Sequence, residues 1–162
     1  MLLHIEYPQH LSCDGRTKQP IVSFVANDIL FLGYRLANLD SESKLKTETI
    51  RLPDWSCNWG KYSRPEDVRV REKGQPTDGC LSITVEDIRY NDFATVVHDP
   101  ICGVETENYS HCEVRAVQPG FTVNDEPPKN ASKRDNRSAK DLRHAWRRHV
   151  RNRLQFIIPA SA

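Results

Sequence analysis

The chain has 162 residues, of which 38% are apolar and 28% charged, and its formal net charge is +1. That length suits one domain with a single modest core. No stretch approaches the 18 apolar residues of a membrane span, and no collagen or heptad repeat occurs, so composition excludes those three classes. The N-terminus lacks the basic and apolar regions of a secretory signal peptide, and we therefore expect a cytoplasmic protein.

The first hundred residues are predicted to be rich in β-strands. Ile21–Ala26 and Ile29–Leu36 are apolar segments separated only by Asn27 and Asp28, a spacing typical of a β-hairpin. Leu45–Leu52 is a weaker strand candidate because its apolar residues alternate less regularly.

The next segment, Pro53–Gly60, is predicted to be a loop that carries Trp55 and Trp59. Two indoles in a loop need a surface to pack on, either one end of the core or an interface with a partner protein. Ser63–Glu66 fits a capping box and predicts a short helical turn, with a strand through Val68–Val70 after it.

Three later strands and a final helix complete the predicted fold. Leu81–Glu86 and His111–Ala116 alternate apolar and polar residues, and Phe93–His98 is apolar on both faces. Ala139–Leu154 has helical periodicity. We expect an α+β fold, a mostly antiparallel sheet with one long C-terminal amphipathic basic helix packed on one face.

Charge divides the chain into parts of opposite sign. Residues 1–128 carry a net charge of −7 and residues 129–162 a net charge of +8. We expect an acidic β-rich body over 1–117, a loop or linker rich in Pro, Asn and Lys over 118–137, and a basic C-terminal helix over 138–162 within the same domain. Such asymmetry indicates nucleic acid or another acidic partner.

The predicted C-terminal helix has an apolar side, around Trp146 and Val150, and a cationic side. Its basic residues and those of the preceding linker are the predicted nucleic-acid contacts: Lys133, Arg134, Arg137, Lys140, Arg143, Arg147, Arg148 and Arg151. Like charges three or four positions apart repel, so a partner must offset them. That partner is RNA or DNA, the acidic body of this chain or of a second copy, or an acidic protein.

Two histidines are candidates for acid–base chemistry. If Phe93–His98 and His111–Ala116 pair as a hairpin, His98 and His111 lie at the same end of it. One could then act as base and the other as acid in the cleavage of a phosphodiester. Arg115 would neutralise the charge of the phosphate. Alternation leaves a second arrangement open, in which the two imidazoles lie on opposite faces and are structural.

The five cysteines are scattered, and we expect small buried thiols and no disulfide framework. His98 and Cys102, followed by adjacent His111 and Cys112, are a weak zinc pattern, because neighbours on a strand point to opposite faces. No metal or cofactor is predicted.

We therefore predict a small protein that acts on or with nucleic acid through its basic helix. In the sharper version it is a metal-independent His-pair nuclease or a toxin-like effector that uses His98, His111 and Arg115. The alternative is a non-catalytic adaptor or subunit of a larger complex, with the basic tail and the Trp55/Trp59 loop as protein contacts.

Overall fold

A computed structural model describes residues 7–52, 55–71, 73–129 and 140–162. Six strands form one antiparallel sheet in the order β4-β5-β2-β1-β3-β6. The strands are β1 Ile29–Tyr34, β2 Trp55–Trp59, β3 Gly79–Thr84, β4 Ala94–His98, β5 His111–Ala116 and β6 Gln155–Ile158.

One face of this sheet carries the hydrophobic core. In β1, Leu30 and Leu32 are buried and pair across the sheet with Ile83 and Leu81 of β3. Trp59 of β2 lies opposite Leu30 and is fully buried. Because side chains alternate along a strand, every second residue of each central strand belongs to this face, which is called the core face below.

Two helices cover the core face: α1, Val85–Ile88, and α2, Lys140–Arg153. Trp146 of α2 is fully buried, packs edge-on against Trp55, and donates its indole N–H to the carbonyl of Ile88 at 2.7 Å. The predicted α+β fold and its C-terminal helix are confirmed. No helix in the described ranges is long and apolar enough to cross a membrane.

Two strands lie where none was predicted. The supposed loop of tryptophans contains β2, which pairs with both β1 and β5. The flanking Pro53 and Gly60 suggest a loop, but Trp55, Cys57 and Trp59 alternate towards the core face. After α2 the chain turns back as β6, which pairs with β3. β6 is short and largely exposed, and its sequence has no clear alternating pattern.

Three predicted strands are instead 3₁₀ turns. Ile21–Ser23 forms such a turn, and Asp28 then accepts a hydrogen bond from the amide of Val25, so no hairpin joins this segment to β1. Thr47–Thr49 replaces the weak strand of residues 45–52. Pro65–Arg69 confirms the predicted helical turn but extends through Val68. In each segment local side-chain and proline effects outweigh apolar content.

The cysteines differ partly from expectation. Cys57, Cys80 and Cys112 are buried thiols, as predicted, but Cys13 and Cys102 form a disulfide with a Cα–Cα distance of 5.8 Å. This bond ties the N-terminal segment to the β4–β5 loop. Disulfides persist chiefly in oxidising compartments, so the cytoplasmic location stays a prediction that this bond does not favour.

Replacing Trp146 by alanine should lower the free energy of unfolding by about 3–5 kcal/mol, because the change leaves a large cavity and an unpaired Ile88 carbonyl. Urea denaturation measures the effect. Leu142→Ala is the matched control on the same helix, since Leu142 is 50% exposed; its cost should stay within about 0.5 kcal/mol. Equal losses of unfolding free energy in the two variants would contradict the burial of Trp146 between α2 and the core face.

Thiol titration in denaturant tests the disulfide. Of the five cysteines, three should react without reductant and all five after reduction. Because the bond spans 89 residues, its reduction should lower the free energy of unfolding by about 4–5 kcal/mol on the chain-entropy account. Five reactive thiols in the unreduced protein would refute the pairing.

Candidate functional site

His98 lies in the core, at the end of β4. It pairs across the sheet with Cys112, so its side chain is on the core face, and it is fully buried beside the rings of Trp59 and Tyr109. The Gln19 amide donates to Nδ1 at 2.9 Å, so Nε2 carries the proton and donates to the Tyr109 carbonyl at 2.6 Å. His98 therefore joins the N-terminal segment to the sheet as a neutral imidazole.

His111 lies on the opposite face of the sheet. Its backbone carbonyl accepts from the Asp99 amide, and its Nδ1 is 2.7 Å from the Asp99 carbonyl oxygen. A carbonyl only accepts hydrogen bonds, so the neutral imidazole has its proton on Nδ1 and its lone pair on Nε2. Nε2 is 3.3 Å from the hydroxyl of Ser56, which is exposed on β2.

The expected pairing of His98 with His111 is therefore wrong, and the second arrangement holds. His98 pairs with Cys112 rather than with His111, so the register is offset by one residue. Because neighbouring residues of a strand point to opposite faces, that offset places the two imidazoles on opposite sides of the sheet. No proton relay joins them directly.

Arg115 shares the face of His111 but is neutralised within the chain. It is 4% exposed, donates from Nε and Nη2 to Glu113 at 3.0 and 2.9 Å, and donates from Nη1 to the Pro127 carbonyl at 3.0 Å. Asp99 lies 3.7 Å from Nη2. The guanidinium of Arg115 is thus hydrogen-bonded to Glu113 and to the loop of residues 117–129. Arg115 does not line the cleft beside His111 and Ser56.

Part of the same cluster is one of two groups of potential metal ligands among the described residues; the other contains the disulfide-bonded Cys13 and Cys102. Asp99, His111 and Glu113 each offer a ligand atom, all within 4.8 Å of one another. The guanidinium of Arg115 already supplies positive charge to Glu113 and lies close to Asp99. A cation there would meet that charge, so the cluster suits hydrogen bonding better than metal binding.

An open cleft lies beside His111 and Ser56. It consists of two adjoining cavities of about 490 and 220 Å³, which share Ser56, Arg71 and Lys73 as lining residues. The larger one also contains Arg35 and Arg51. The larger cavity lies where β1 and β2 separate. In the described residues these strands pair only at Leu30–Trp59 and Phe31–Asn58.

The cleft is cationic. Its one described carboxylate, Asp78, is buried and already bound to Arg35 and to the Gln75 amide. The remaining charges, on Arg51, Arg71 and Lys73, have no carboxylate within 4 Å among the described residues. The site is therefore suited to an anion.

Arg71 is the most unusual of these cations. Its Nε is buried without a hydrogen-bond partner in the described chain, and burial lowers the pKa of its guanidinium although Asp78 opposes that shift. The guanidinium lies directly over Gly33, where an added Cβ would be 2.7 Å from Nη2. Gly33 thus leaves room for a half-buried guanidinium whose Nε has no described hydrogen-bond partner.

The cations of α2 are partly neutralised inside the molecule. Arg151 donates to the Leu45 carbonyl at 2.9 Å and pairs with Asp40. Arg147 donates to the Ile50 carbonyl at 3.2 Å, and desolvation together with nearby Arg143 lowers the pKa of Arg147.

Three other described cations of α2 lack such a partner, whereas Arg153 lies 4.0 Å from Asp87. Lys140 and Arg148 are exposed, and the buried Nε of Arg143 has no hydrogen-bond partner in the described chain. No described carboxylate lies within 4 Å of these groups or of Arg147. This part of the helix therefore carries positive charge that no described carboxylate neutralises. Lys133, Arg134 and Arg137 of the predicted set lie outside the described residues.

The sequence left two placements open for Trp55 and Trp59, one end of the core or an interface, and the structure places both indoles against the core. Trp59 is fully buried against Phe24 at a ring distance of 4.0 Å, and Trp55 is half-buried against Trp146. These indoles fill the core, which is the first of those two placements.

Sequence patterns did not indicate two residues of the cleft, Ser56 and Arg71. Ser56 is an isolated hydroxyl between Trp55 and Cys57, and its partner His111 is 55 positions away. Arg71 stands near Arg69 and Lys73 in a stretch resembling an ordinary charged surface. Only the approach of distant strands brings these groups together.

No protein-family model, curated protein or solved structure matches this chain. Function must therefore be inferred from its own geometry.

Stability should depend on pH through His98. Burial holds the pKa of folded His98 below its ordinary value of about 6.5. The unfolded chain therefore binds this proton first, and the free energy of unfolding should fall as pH drops below that value. The free energy of unfolding, measured by urea denaturation between about pH 8 and about pH 5, should depend less on pH in His98→Gln than in the exposed control His144→Gln. Identical pH dependence in both variants would refute this role.

Proposed function

We propose that this protein binds single-stranded nucleic acid, with the phosphates held in the cleft and along α2. The observation that carries the proposal is Arg71, whose guanidinium lines a cationic cleft and whose buried Nε has no hydrogen-bond partner in the described chain. An arginine fork matches the geometry of phosphate oxygens and forms strong charge-assisted hydrogen bonds with them. A bound phosphate would therefore give the buried Nε of Arg71 a partner and neutralise the charge of its guanidinium.

The cleft is linked to α2 through the segment of residues 50–51. Arg51 lines the cleft, and the adjacent residue Ile50 accepts the hydrogen bond from Arg147. Arg143 and Arg148 continue the charge along the helix. A flexible polyanion with regularly spaced phosphates fits such a band better than a single small anion.

The size of the cleft favours a single strand. A cavity of about 490 Å³ is within the range of small-molecule sites and suits a nucleotide rather than a duplex. Because phosphate contacts carry no sequence information, binding should depend little on base sequence.

Fluorescence anisotropy with single-stranded RNA, single-stranded DNA and a duplex tests the proposal. With about four or five phosphate contacts, the logarithm of the association constant should fall with the logarithm of salt concentration at a slope of about −3 for single strands. A flat slope, or the absence of binding to all three probes by folded protein, would refute the proposal and leave the adaptor alternative.

Arg71→Met separates binding from folding. It should weaken single-strand binding by about 10- to 100-fold through the loss of a charge-assisted contact. The free energy of unfolding should change little, because the side chain is half-buried and its Nε makes no described hydrogen bond that the substitution would remove. A large loss of stability with unchanged affinity would show that Arg71 is structural and would contradict the proposal.

Two further variants control for charge and position. Lys73→Gln removes an exposed lysine from the cleft, and Lys61→Gln removes an equally exposed lysine at the other end of β2. Only the first should weaken binding. Gly33→Ala leaves every charge in place but displaces the guanidinium of Arg71, so it should resemble Arg71→Met in affinity.

A further inference from the structure

A hydroxyl–imidazole pair lies at one wall of the smaller cavity. Ser56 is exposed there, and its Oγ is 3.3 Å from Nε2 of His111. The Asp99 carbonyl binds the Nδ1–H of His111, which leaves Nε2 as the acceptor for the hydroxyl proton. A nucleophile beside a base that a third group orients is the arrangement required for covalent catalysis.

The same cavity contains groups that would stabilise negative charge in a transition state. Arg71 and Lys73 line it together with Ser56 and His111. Cations fixed around a reacting phosphoryl group stabilise the charge that its oxygens carry during transfer. The nucleophile, the base and the charge-stabilising groups therefore share one cavity of about 220 Å³.

We propose that Ser56 and His111 are the nucleophile and the general base of a metal-independent phosphodiesterase that cleaves single-stranded nucleic acid in this cleft. The proposal rests on the proposed function for its substrate class. It also gives His111 a different partner from the one that the sequence suggested, a serine on β2 in place of His98.

The reaction proceeds in two steps that balance without a redox partner. Ser56 Oγ attacks phosphorus as its proton passes to Nε2 of His111; the bond from phosphorus to the leaving oxygen breaks, and that oxygen takes the proton from His111. Water then attacks the phosphoserine diester and gives a proton to Nε2. The bond from phosphorus to Oγ breaks, and Ser56 recovers its proton from His111.

Asp99 and Arg115 act as positioning residues. The Asp99 carbonyl selects the tautomer of His111, and Arg115 binds Glu113 and lies near the Asp99 carboxylate, holding this edge of the sheet in place. Neither side chain lines the cavity.

Labelling with diisopropyl fluorophosphate tests the nucleophile independently of nucleic-acid binding. The intact protein should gain one diisopropylphosphoryl group, which peptide mapping should place on Ser56. Ser56→Ala should remain unlabelled, whereas Ser41→Ala, which removes an exposed serine elsewhere, should be labelled like the wild type. Labelling of His111→Asn should be slower by about 100-fold or more. No adduct on Ser56 would overturn the proposal.

Because His111 is largely buried, thermal unfolding of His111→Asn must accompany its kinetics, while the exposed Ser56 gives a variant that should fold normally. Cleavage of a single-stranded oligonucleotide should continue in the presence of a chelator and disappear in Ser56→Ala, with binding affinity unchanged in that variant. Equal cleavage by Ser56→Ala and the wild type would overturn the proposal.

The outcomes for binding and catalysis are distinguishable. If the wild type binds single strands with the expected salt dependence but is neither labelled nor active, the catalytic proposal is overturned and the proposed function stands. If Ser56 is labelled but no nucleic acid binds, the phosphodiesterase proposal and the proposed function are both overturned, because the substrate class is wrong.

Discussion

The register of β4 against β5 is the constraint on which the chemistry of this protein depends. His98 pairs with Cys112, and this offset sends one imidazole into the core and the other to the cleft. Each then acquires partners suited to its face. His98 is held neutral by an amide and a carbonyl, whereas His111 keeps a free nitrogen lone pair beside Ser56. The alternation of a strand therefore separates a structural histidine from a candidate catalytic one.

The second determining feature is the separation of β1 from β2 beyond their two paired positions. A glycine at position 33 makes space for the guanidinium of Arg71, and no described group satisfies its Nε. Buried polar groups in folded proteins almost always have a hydrogen-bond partner, because an unpaired one keeps the cost of its desolvation. Such a local conflict with stability is typical of positions where a ligand completes the structure.

The C-terminal helix shows how one periodic pattern serves two purposes. Trp146 and Val150 anchor it to the core face, while its arginines lie along the segment of residues 45–51. Arg151 also pairs with the carboxylate of Asp40, whereas Arg147 donates only to a backbone carbonyl. The positive charge of the helix is therefore neutralised within the chain near its C-terminal end, at Arg151, and is not neutralised by described carboxylates nearer its N-terminal end.

Local sequence patterns determined much of the fold. Short apolar runs predict β1 and β4, alternation predicts β3 and β5, and 3.6-residue spacing predicts α2, each within a short window. The tertiary structure decided the rest. It turned the Trp55–Trp59 segment into a strand, joined Cys13 to Cys102, and placed Ser56 and Arg71 beside His111. These relations join residues far apart in the chain, and their energies come from burial and register between elements, which no single window of sequence contains.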